Sequence, residues 1–411
     1  MWYDDEDTLT KEVISMHIEP SIRSNIFLNA HPLGCEQFVL EQINEAKALP
    51  PFQGPKKVLI IGGSSGYGLS SRIALAFGSS SDTINVSFET PPKAKRTGTA
   101  GWWNNIYFQK HASQLGTHKD FVGDAFSKSM KDDVKDYIEH TFGKLDLVIY
   151  SLAAGARFNE DTQNLVKSSI KALNTEASGK TIDLGDMTVK DLTIGIATEQ
   201  EIQDTVYVMG GSAWSEWIEM LVQEDLVNEG FKTISYTYIG GPTTDKIYRG
   251  GTLGKAKEDL ESTANRLNTL LNNKYHGEAL ISSSKAVVTK ASVFIPQMPI
   301  YVSCLIDVMK RHHVHESILA HKYRLFKDMV YGQKRILDNQ GRIRLDHLEM
   351  DEHIQKETIH FMTTLNDEAL FSLGGTKEFI QEFYHIHGFR YDNIDYDKEV
   401  NLDDLSYLTL K

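Results

Sequence analysis

The chain has 411 residues, 41% of them hydrophobic and 24% charged, with a formal net charge of −13. That is enough apolar material for one enlarged α/β domain or two ordinary ones, while the acidic balance argues against a nucleic-acid surface and requires a local basic patch for any anionic substrate. Two cysteines, Cys35 and Cys304, are too few for a disulfide framework and fit no metal-site spacing, so a reducing cytoplasm is the expected compartment. The N-terminus, Met1-Trp-Tyr-Asp-Asp-Glu-Asp-Thr8, is acidic with no apolar run behind it, unlike a secretory signal or a typical mitochondrial presequence. Residues 1–20 read as a loose extension and 21–411 as a single enlarged domain.

In chain order, the first strong element is Lys57-Val-Leu-Ile-Ile-Gly-Gly-Ser-Ser-Gly-Tyr-Gly-Leu-Ser-Ser-Arg72, an apolar strand over 57–62 that runs through Gly62, Gly66 and Gly68 into a helix near 66–77. Glycines there permit positive φ and close backbone approach, and the first helical turn aims free N–H groups and the positive dipole end at a pyrophosphate. The Gly-x3-Gly-x-Gly spacing is the version seen in short-chain dehydrogenases and reductases; alone, it does not separate a dinucleotide cradle from an accidental glycine-rich turn. The next strand, Thr83-Ile-Asn-Val-Ser-Phe-Glu89, closes on an acid about 20 to 30 residues past the glycines, where a ribose-binding carboxylate belongs. Glu89 in that role accepts from the adenosine 2′ and 3′ hydroxyls and repels a 2′-phosphate, which favours NADH over NADPH. Lys93, Lys95 and Arg96 would soften that preference, and a solvated acid at a strand end is the competing reading.

Helix-like segments near 103–115 and 127–142 and a strand near 145–152 continue a βαβ series. The expected fold is therefore α/β, a Rossmann-like parallel sheet with helices on both faces, of the enlarged short-chain dehydrogenase/reductase type. Leu145-Asp-Leu-Val-Ile-Tyr-Ser-Leu-Ala-Ala154 reads as a central strand delivering Leu152 and Ala153 to the nicotinamide side of a cleft beyond the strand ends. Gly123-Asp124-Ala125 lies where a βα turn contacts adenine; Asp124 either accepts from the adenine amino group or caps the following helix. Between 155 and 205 periodicity weakens, as in an insertion or hairpin excursion. An amphipathic helix at 214–221 and a strand at 232–239 follow. Residues 291–309, broken by Pro296, Gln297, Pro299 and Asp307, read as a loop and helix lining an apolar pocket or as ordinary core, and not as a membrane span.

Chemistry is expected in Tyr236-Thr-Tyr-Ile-Gly-Gly-Pro-Thr-Thr-Asp-Lys-Ile-Tyr-Arg-Gly-Gly-Thr-Leu-Gly-Lys-Ala-Lys257, which joins strand-end tyrosines, a glycine-rich turn and two lysines opening a helix. A phenol beside a nicotinamide, with a nearby ammonium that lowers its pKa and binds the nicotinamide ribose, can stabilise an oxyanion and supply a proton. The Tyr-x3-Lys pair of ordinary short-chain reductases does not occur in this region. Tyr248 and Lys257 enclose eight residues. At about 100° per residue they would fall on opposite sides of one continuous helix, so Tyr248 must precede the helix, folded back by Gly250, Gly251 and Gly254, with helix from Lys255 onward. Lys255 competes with Lys257 for the ribose role. Tyr236 and Tyr238, two apart on a strand, share a face, so either can be a core residue.

At these residues the chain resembles a known family. Gly66-Tyr-Gly-Leu69, Ser87-Phe-Glu89, Thr99-Ala-Gly-Trp102, Gly123-Asp-Ala-Phe126, Val208-Met-Gly-Gly211, Tyr236-Thr-Tyr-Ile-Gly240 and Tyr248-x8-Lys257 look like the trans-2-enoyl-CoA reductases and the related V-type enoyl-acyl-carrier-protein reductases. The resemblance runs from Asn29-Ala-His-Pro-Leu-Gly-Cys35 to Ile394-Asp-Tyr396, and the Tyr-x8-Lys pair separates it from other short-chain reductases. It implies a usually monomeric enzyme that uses NADH to reduce trans-2-enoyl thioesters, carried by coenzyme A or an acyl carrier protein, in fatty-acid synthesis. By position, it implies that Tyr248 is the proton donor, that Lys257 binds NAD and supports the phenol, and that Tyr238 touches the substrate carbonyl. Gly62, Gly63, Ser64, Ser65, Gly66 and Tyr67 would cradle the pyrophosphate, with Tyr67 also shaping access to the site. Phe88 and Glu89 would hold the adenosine, Asp124 and Ala125 would contact adenine, Leu152 and Ala153 would flank the nicotinamide, and Val287, Val288 and Thr289 match a later NAD-binding segment. A departure from the family is Ser151-Leu-Ala-Ala-Gly-Ala-Arg157, where Ser-Leu-Ala-Ser-Pro is usual.

A carbonyl reductase built on the same tyrosine, or a dinucleotide-binding sensor without turnover, are the alternatives. His312, His313 and His315 read as a solvated helix end in preference to a zinc site, and Cys35 as a buried structural thiol. Lys246, Arg249, Lys285 and Lys290 are surface charges that could meet an acidic carrier.

Overall fold

The run Lys57–Ile61 forms strand β1, and its alternation divides the interior. Val58 and Ile60 enter one core and Leu59 and Ile61 the other, all fully buried, as a central strand covered on both faces requires. This computed structural model describes residues 15–402 and residue 405. Most of the expected N-terminal extension lies outside the described residues; its Ser15–Met16 pairs antiparallel with Val400–Asn401.

Strands β2 (Asp82–Ser87), β3 (His118–Val122), β4 (Leu145–Tyr150), β5 (Val227–Thr237), β6 (Glu278–Ser283) and β7 (Ile343–Arg344) complete a seven-stranded parallel sheet ordered β3-β2-β1-β4-β5-β6-β7. Chain order reverses between β1 and β4, which opens a crevice at their carboxyl ends where such sheets bind ligands. The expected strands at 57–62, 83–88, 145–152 and 232–239 all form. β3 was not anticipated: His118-Lys-Asp-Phe-Val122 carries charges because it is an edge strand.

Helices α1 (Pro32–Ala48), α2 (Gly66–Gly78) and α3 (Ala100–Ala112) bury residues in the core of Val58 and Ile60. Helix α4 (Lys128–Tyr137) covers the other face and continues into a π-helical turn, Ile138–Phe142, which accounts for the single helix expected over 127–142. The excursion after β4 consists of two hairpins, Ala156–Asn159 with Asn164–Lys167 and Ala177–Asp183 with Thr188–Ile194. Helices α5 (Glu199–Met209) and α6 (Ser212–Gln223) follow, and α6 buries Trp214 and Trp217 in the second core.

Helix α7 (Thr252–Tyr275) links β5 to β6. A 3-10 turn at Ser292–Phe294 and Gln297 at φ +66° lead into α8 (Met298–Arg311), then α9 (Ile318–Arg324). Beyond β7 come α10 (Glu352–Thr364), α11 (Asp367–Ser372) and α12 (Gly374–His385). A Cβ on Gly375 would stand 2.1 Å from the Ser303 carbonyl, so that glycine is what lets α12 seat against α8. Among the described residues no helix is long and apolar enough to cross a membrane.

Candidate active site

The turn after β1 is built for backbone proximity. Gly62 has φ +94° and Gly66 φ +52°, and a Cβ on Gly68 would lie 2.0 Å from the Gly62 carbonyl. Ser65, the N-cap of α2, makes no side-chain cap bond, so the first-turn N–H groups remain available to an anion. Two buried amides hold the turn from behind: Gly63 N donates to Asn85 Oδ1 at 2.8 Å, and Asn104 Nδ2 donates to the Ser64 carbonyl at 3.0 Å. Asn85 in turn donates to Asp120 on β3 at 2.8 Å, and Asp120 is clamped by Arg72 at 2.7 and 3.1 Å, both side chains fully buried. The sequence reading missed Asn85, Asn104, Arg72 and Asp120. A polar residue midway along an otherwise apolar strand was the available signal for Asn85.

Several expected cofactor residues gather on this turn. Leu152, just past β4, lies so close that a Cβ on Gly62 would approach its Cδ2 to 3.1 Å. Thr289 comes similarly close to Gly66, at 3.2 Å, and its N–H donates to Ser292 Oγ, which itself donates to the Val287 carbonyl. Val288 is buried beside them, and Ala153 is exposed at the rim. At the end of β2, Phe88 leaves 80% of its surface to solvent, an exposed ring with one face free for a base. The Glu89 carboxylate accepts from Ser64 Oγ at 2.6 Å and from Thr99 Oγ1, so it is tied to the glycine turn while keeping lone pairs for further donors. Asp124 is not the N-cap of α4: its Oδ1 accepts from Phe126 N at 2.9 Å, and Ser127 caps the helix by accepting from Met130 N. The Ala125 carbonyl accepts from Trp217 Nε1 at 3.0 Å, which pins that turn to the second core.

The tyrosines differ in their partners. Tyr236 shares a 2.6 Å hydrogen bond with Ser71 Oγ, and its ring lies 3.6 Å from the buried Lys322 ammonium, so it is a core residue. Tyr67 donates to the Lys285 carbonyl and meets the Tyr236 ring edge-on at 5.9 Å. Tyr238, just beyond β5, is buried in the same core but has other partners: its ring centroid is 4.6 Å from that of Tyr248 at 64°, and its hydroxyl donates to Glu349 Oε1 at 3.0 Å.

Tyr248 precedes α7 as expected, in a turn where its N–H donates to the Thr244 carbonyl. The helix opens at Thr252, earlier than the reading from Lys255. Gly254 is inside it and bends nothing; a Cβ there would stand 2.6 Å from the Tyr248 carbonyl, so its bareness lets the turn pack on the helix. Lys257 is half-buried and donates to the Tyr236 carbonyl at 3.4 Å. Burial, with a smaller contribution from Arg249, brings its pKa down to about 8. Lys255 is partly exposed and pairs with Glu258 at 2.8 Å on the surface of the helix. The expectation that an ammonium lowers the Tyr248 pKa is not met: burial pushes the phenol up and Glu349 adds to this.

Arg157 is buried, donating to Glu216 at 2.6 Å and to Ser212 Oγ at 2.9 Å, which anchors the departing segment after β4. Of the four basic residues considered for a carrier, Lys285 is buried and Arg249 is paired with Glu261 at 2.5 Å, so neither is free surface charge. Burial pushes the Cys35 thiol up to about 12, as suits a structural residue. His312, at the end of α8, contacts Glu357 at 2.7 Å.

Against known proteins, residues 96–331 match a family model described as the trans-2-enoyl-CoA reductase catalytic region, and residues 17–94 one described as the NAD(P)H binding domain of trans-2-enoyl-CoA reductase. The chain is 43% identical over 399 residues to a Photobacterium profundum enoyl-[acyl-carrier-protein] reductase [NADH], covering 96% of this chain and 100% of that one. It is 41% identical over 396 residues to a Clostridium beijerinckii trans-2-enoyl-CoA reductase [NADH], with the same coverage. The crystal structure of Clostridium acetobutylicum trans-2-enoyl-CoA reductase in complex with NADH superposes with a TM-score of 0.93 at 41% identity, covering 96% of this chain and 100% of that one.

Residues 337–400 match a model described as an enoyl reductase FAD binding domain, but the helix N-termini of that segment offer a flavin's pyrophosphate no open site. Its pyrophosphate would need an open helix N-terminus or a glycine cradle. The first turn of α10 is capped by Asp351 and that of α11 by Asn366, with Asp367 and Glu368 adding negative charge. At α12, Asp307 accepts from Gly375 N at 3.2 Å and α8 fills the space a phosphate would take. With the catalytic-region model spanning most of the chain and full-length relatives above 40% identity, the chain belongs to the trans-2-enoyl-CoA reductase family.

Proposed function

We infer that this chain uses NADH to reduce the trans-2 double bond of enoyl thioesters, giving the saturated acyl thioester. The observation that carries this reading is the Tyr238–Tyr248 pair, set together at the carboxyl end of β5 with Lys257 opening the next helix. NADH supplies a hydride to the β-carbon when bound. The residues proposed to hold it are Gly62, Gly63, Ser64, Ser65, Gly66 and Tyr67 at the pyrophosphate, Phe88, Glu89, Asp124 and Ala125 at the adenosine, and Leu152, Ala153, Val287, Val288, Thr289 and Lys257 toward the nicotinamide.

Reduction at the β-carbon leaves negative charge on the thioester oxygen and requires a proton at the α-carbon. Tyr238 is proposed to donate to that oxygen and Tyr248 to supply the proton, directly or through solvent. A phenol whose pKa is pushed up by burial holds its proton at neutral pH, which suits an acid better than a nucleophile. Lys257, whose Nζ donates to the Tyr236 carbonyl at 3.4 Å, is proposed to bind the nicotinamide ribose. The carrier is coenzyme A or an acyl carrier protein, and the working form is proposed as a cytoplasmic monomer in which residues 21–411 act as one unit; the reach of Glu349 to Tyr238 supports the last point.

The test is loss of reduced-nicotinamide absorbance with crotonyl-CoA and with a longer enoyl thioester. Turnover of a ketone but of no enoyl thioester would make the chain a carbonyl reductase; NADH binding without any turnover would make it a sensor. In the same assay, Glu89→Ala should narrow the NADH over NADPH preference by roughly tenfold, because the repulsion of a 2′-phosphate is removed. An unchanged ratio of kcat/KM values would take the selector role from Glu89.

A further inference from the structure

Glu349 lies 111 positions beyond Tyr238 in sequence, at the end of the 3-10 turn Leu345–Leu348. It is fully buried, and its carboxyl is surrounded by neutral donors. Oε1 faces the Tyr238 hydroxyl at 3.0 Å and the Tyr301 hydroxyl at 2.6 Å, and Oε2 accepts from Ala286 N at 2.6 Å. Gln355 braces the arrangement from α10, donating to the Tyr301 hydroxyl at 2.8 Å and to the Glu349 carbonyl at 2.9 Å.

A phenol has one hydrogen to give. An ionised carboxylate only accepts, so while Glu349 is ionised the Tyr238 hydrogen is spent on it and cannot serve a substrate oxygen. A protonated Glu349 can instead donate to Tyr238, which releases the phenol hydrogen. Protonation also removes a negative charge from beside Tyr248, where the reaction develops more of it. We propose that Glu349 is a positioning residue for the reduction, holding Tyr238 against Tyr248 and supporting turnover in its protonated form; this rests on the enoyl-thioester reading above.

The charges facing Glu349 are few. Asp346, on the same turn, is paired with Arg344 and accepts from Ser283; Lys285 follows β6, and the phenols of Tyr67, Tyr238, Tyr248 and Tyr301 complete the surroundings. Burial dominates, bringing the Glu349 pKa up to about 7. Below that value the carboxyl is neutral and Tyr238 is free to donate; above it the carboxylate captures the hydrogen.

The experiment is the pH profile of kcat and kcat/KM with crotonyl-CoA and NADH for the wild type, Glu349→Gln and Tyr301→Phe, with NADH affinity measured in parallel. Wild-type kcat should fall about tenfold per pH unit once pH passes about 7. Glu349→Gln, which cannot ionise, should lose that fall whatever its plateau rate, with NADH affinity retained. Tyr301→Phe removes a hydrogen bond that favours the carboxylate, so the fall should move to higher pH, and this arm decides the matter if Glu349→Gln does not fold. A flat wild-type profile, a fall that persists in Glu349→Gln and so belongs to Lys257, or an unmoved Tyr301→Phe profile would overturn the proposal. Absence of wild-type turnover with every enoyl thioester would instead overturn the reaction reading.

Discussion

Tyr248→Phe is expected to lower turnover with an enoyl thioester and NADH by at least about a hundredfold while NADH affinity stays near wild type. The substitution removes only the hydroxyl. The ring remains, and with it the 4.6 Å contact to Tyr238 and the fit of the turn on Gly254. The cofactor turn after β1 is held by Asn85 and Asn104, neither of which depends on Tyr248. A loss confined to turnover therefore reports a missing proton rather than a collapsed site. Steady-state kcat together with fluorescence titration of NADH checks this, and kcat within about threefold of wild type would pass the acid role to another group, Tyr238 being the nearest phenol.

The part of the site written in contiguous sequence was the part that could be read. The strand-glycine-helix segment, Glu89 at the next strand end and the tyrosine-lysine spacing are local patterns, and the structure brings Leu152, Thr289 and Glu89 onto the same turn. Residues that act from a distance left no such trace. Glu349 stands in Leu345-Asp-His-Leu-Glu349, where nothing separates it from a surface acid until the chain folds it against Tyr238 and Tyr301. The direction of the Tyr248 pKa shift went unread for the same reason, because the groups that set it are a buried environment and that distant carboxylate. β3 escaped because its charged residues break the apolar pattern by which β1 and β4 were recognised.

That unread strand carries the second large effect. Asp120→Ala is expected to cost about 3 to 5 kcal/mol of unfolding free energy, since it leaves the Arg72 guanidinium buried without its counter-charge. Among the described residues, Arg72 keeps its hydrogen bond to Thr83 Oγ1 at 3.1 Å and its position 3.9 Å over the Phe108 ring, neither of which neutralises a full charge. The loss extends beyond the pair. Asn85 and Gln109 each give up an acceptor, at 2.8 and 2.6 Å, and Asn85 is what fixes Gly63 in the cofactor turn. NADH affinity should therefore fall along with stability, whereas Tyr248→Phe leaves it intact. Replacing both partners, as in Arg72→Met with Asp120→Leu, should cost less than Asp120→Ala alone, because no unpaired charge remains. Urea midpoints at matched m-values measure the stability terms, and an Asp120→Ala protein within about 1 kcal/mol of wild type would mean that water or a neighbouring group already balances Arg72.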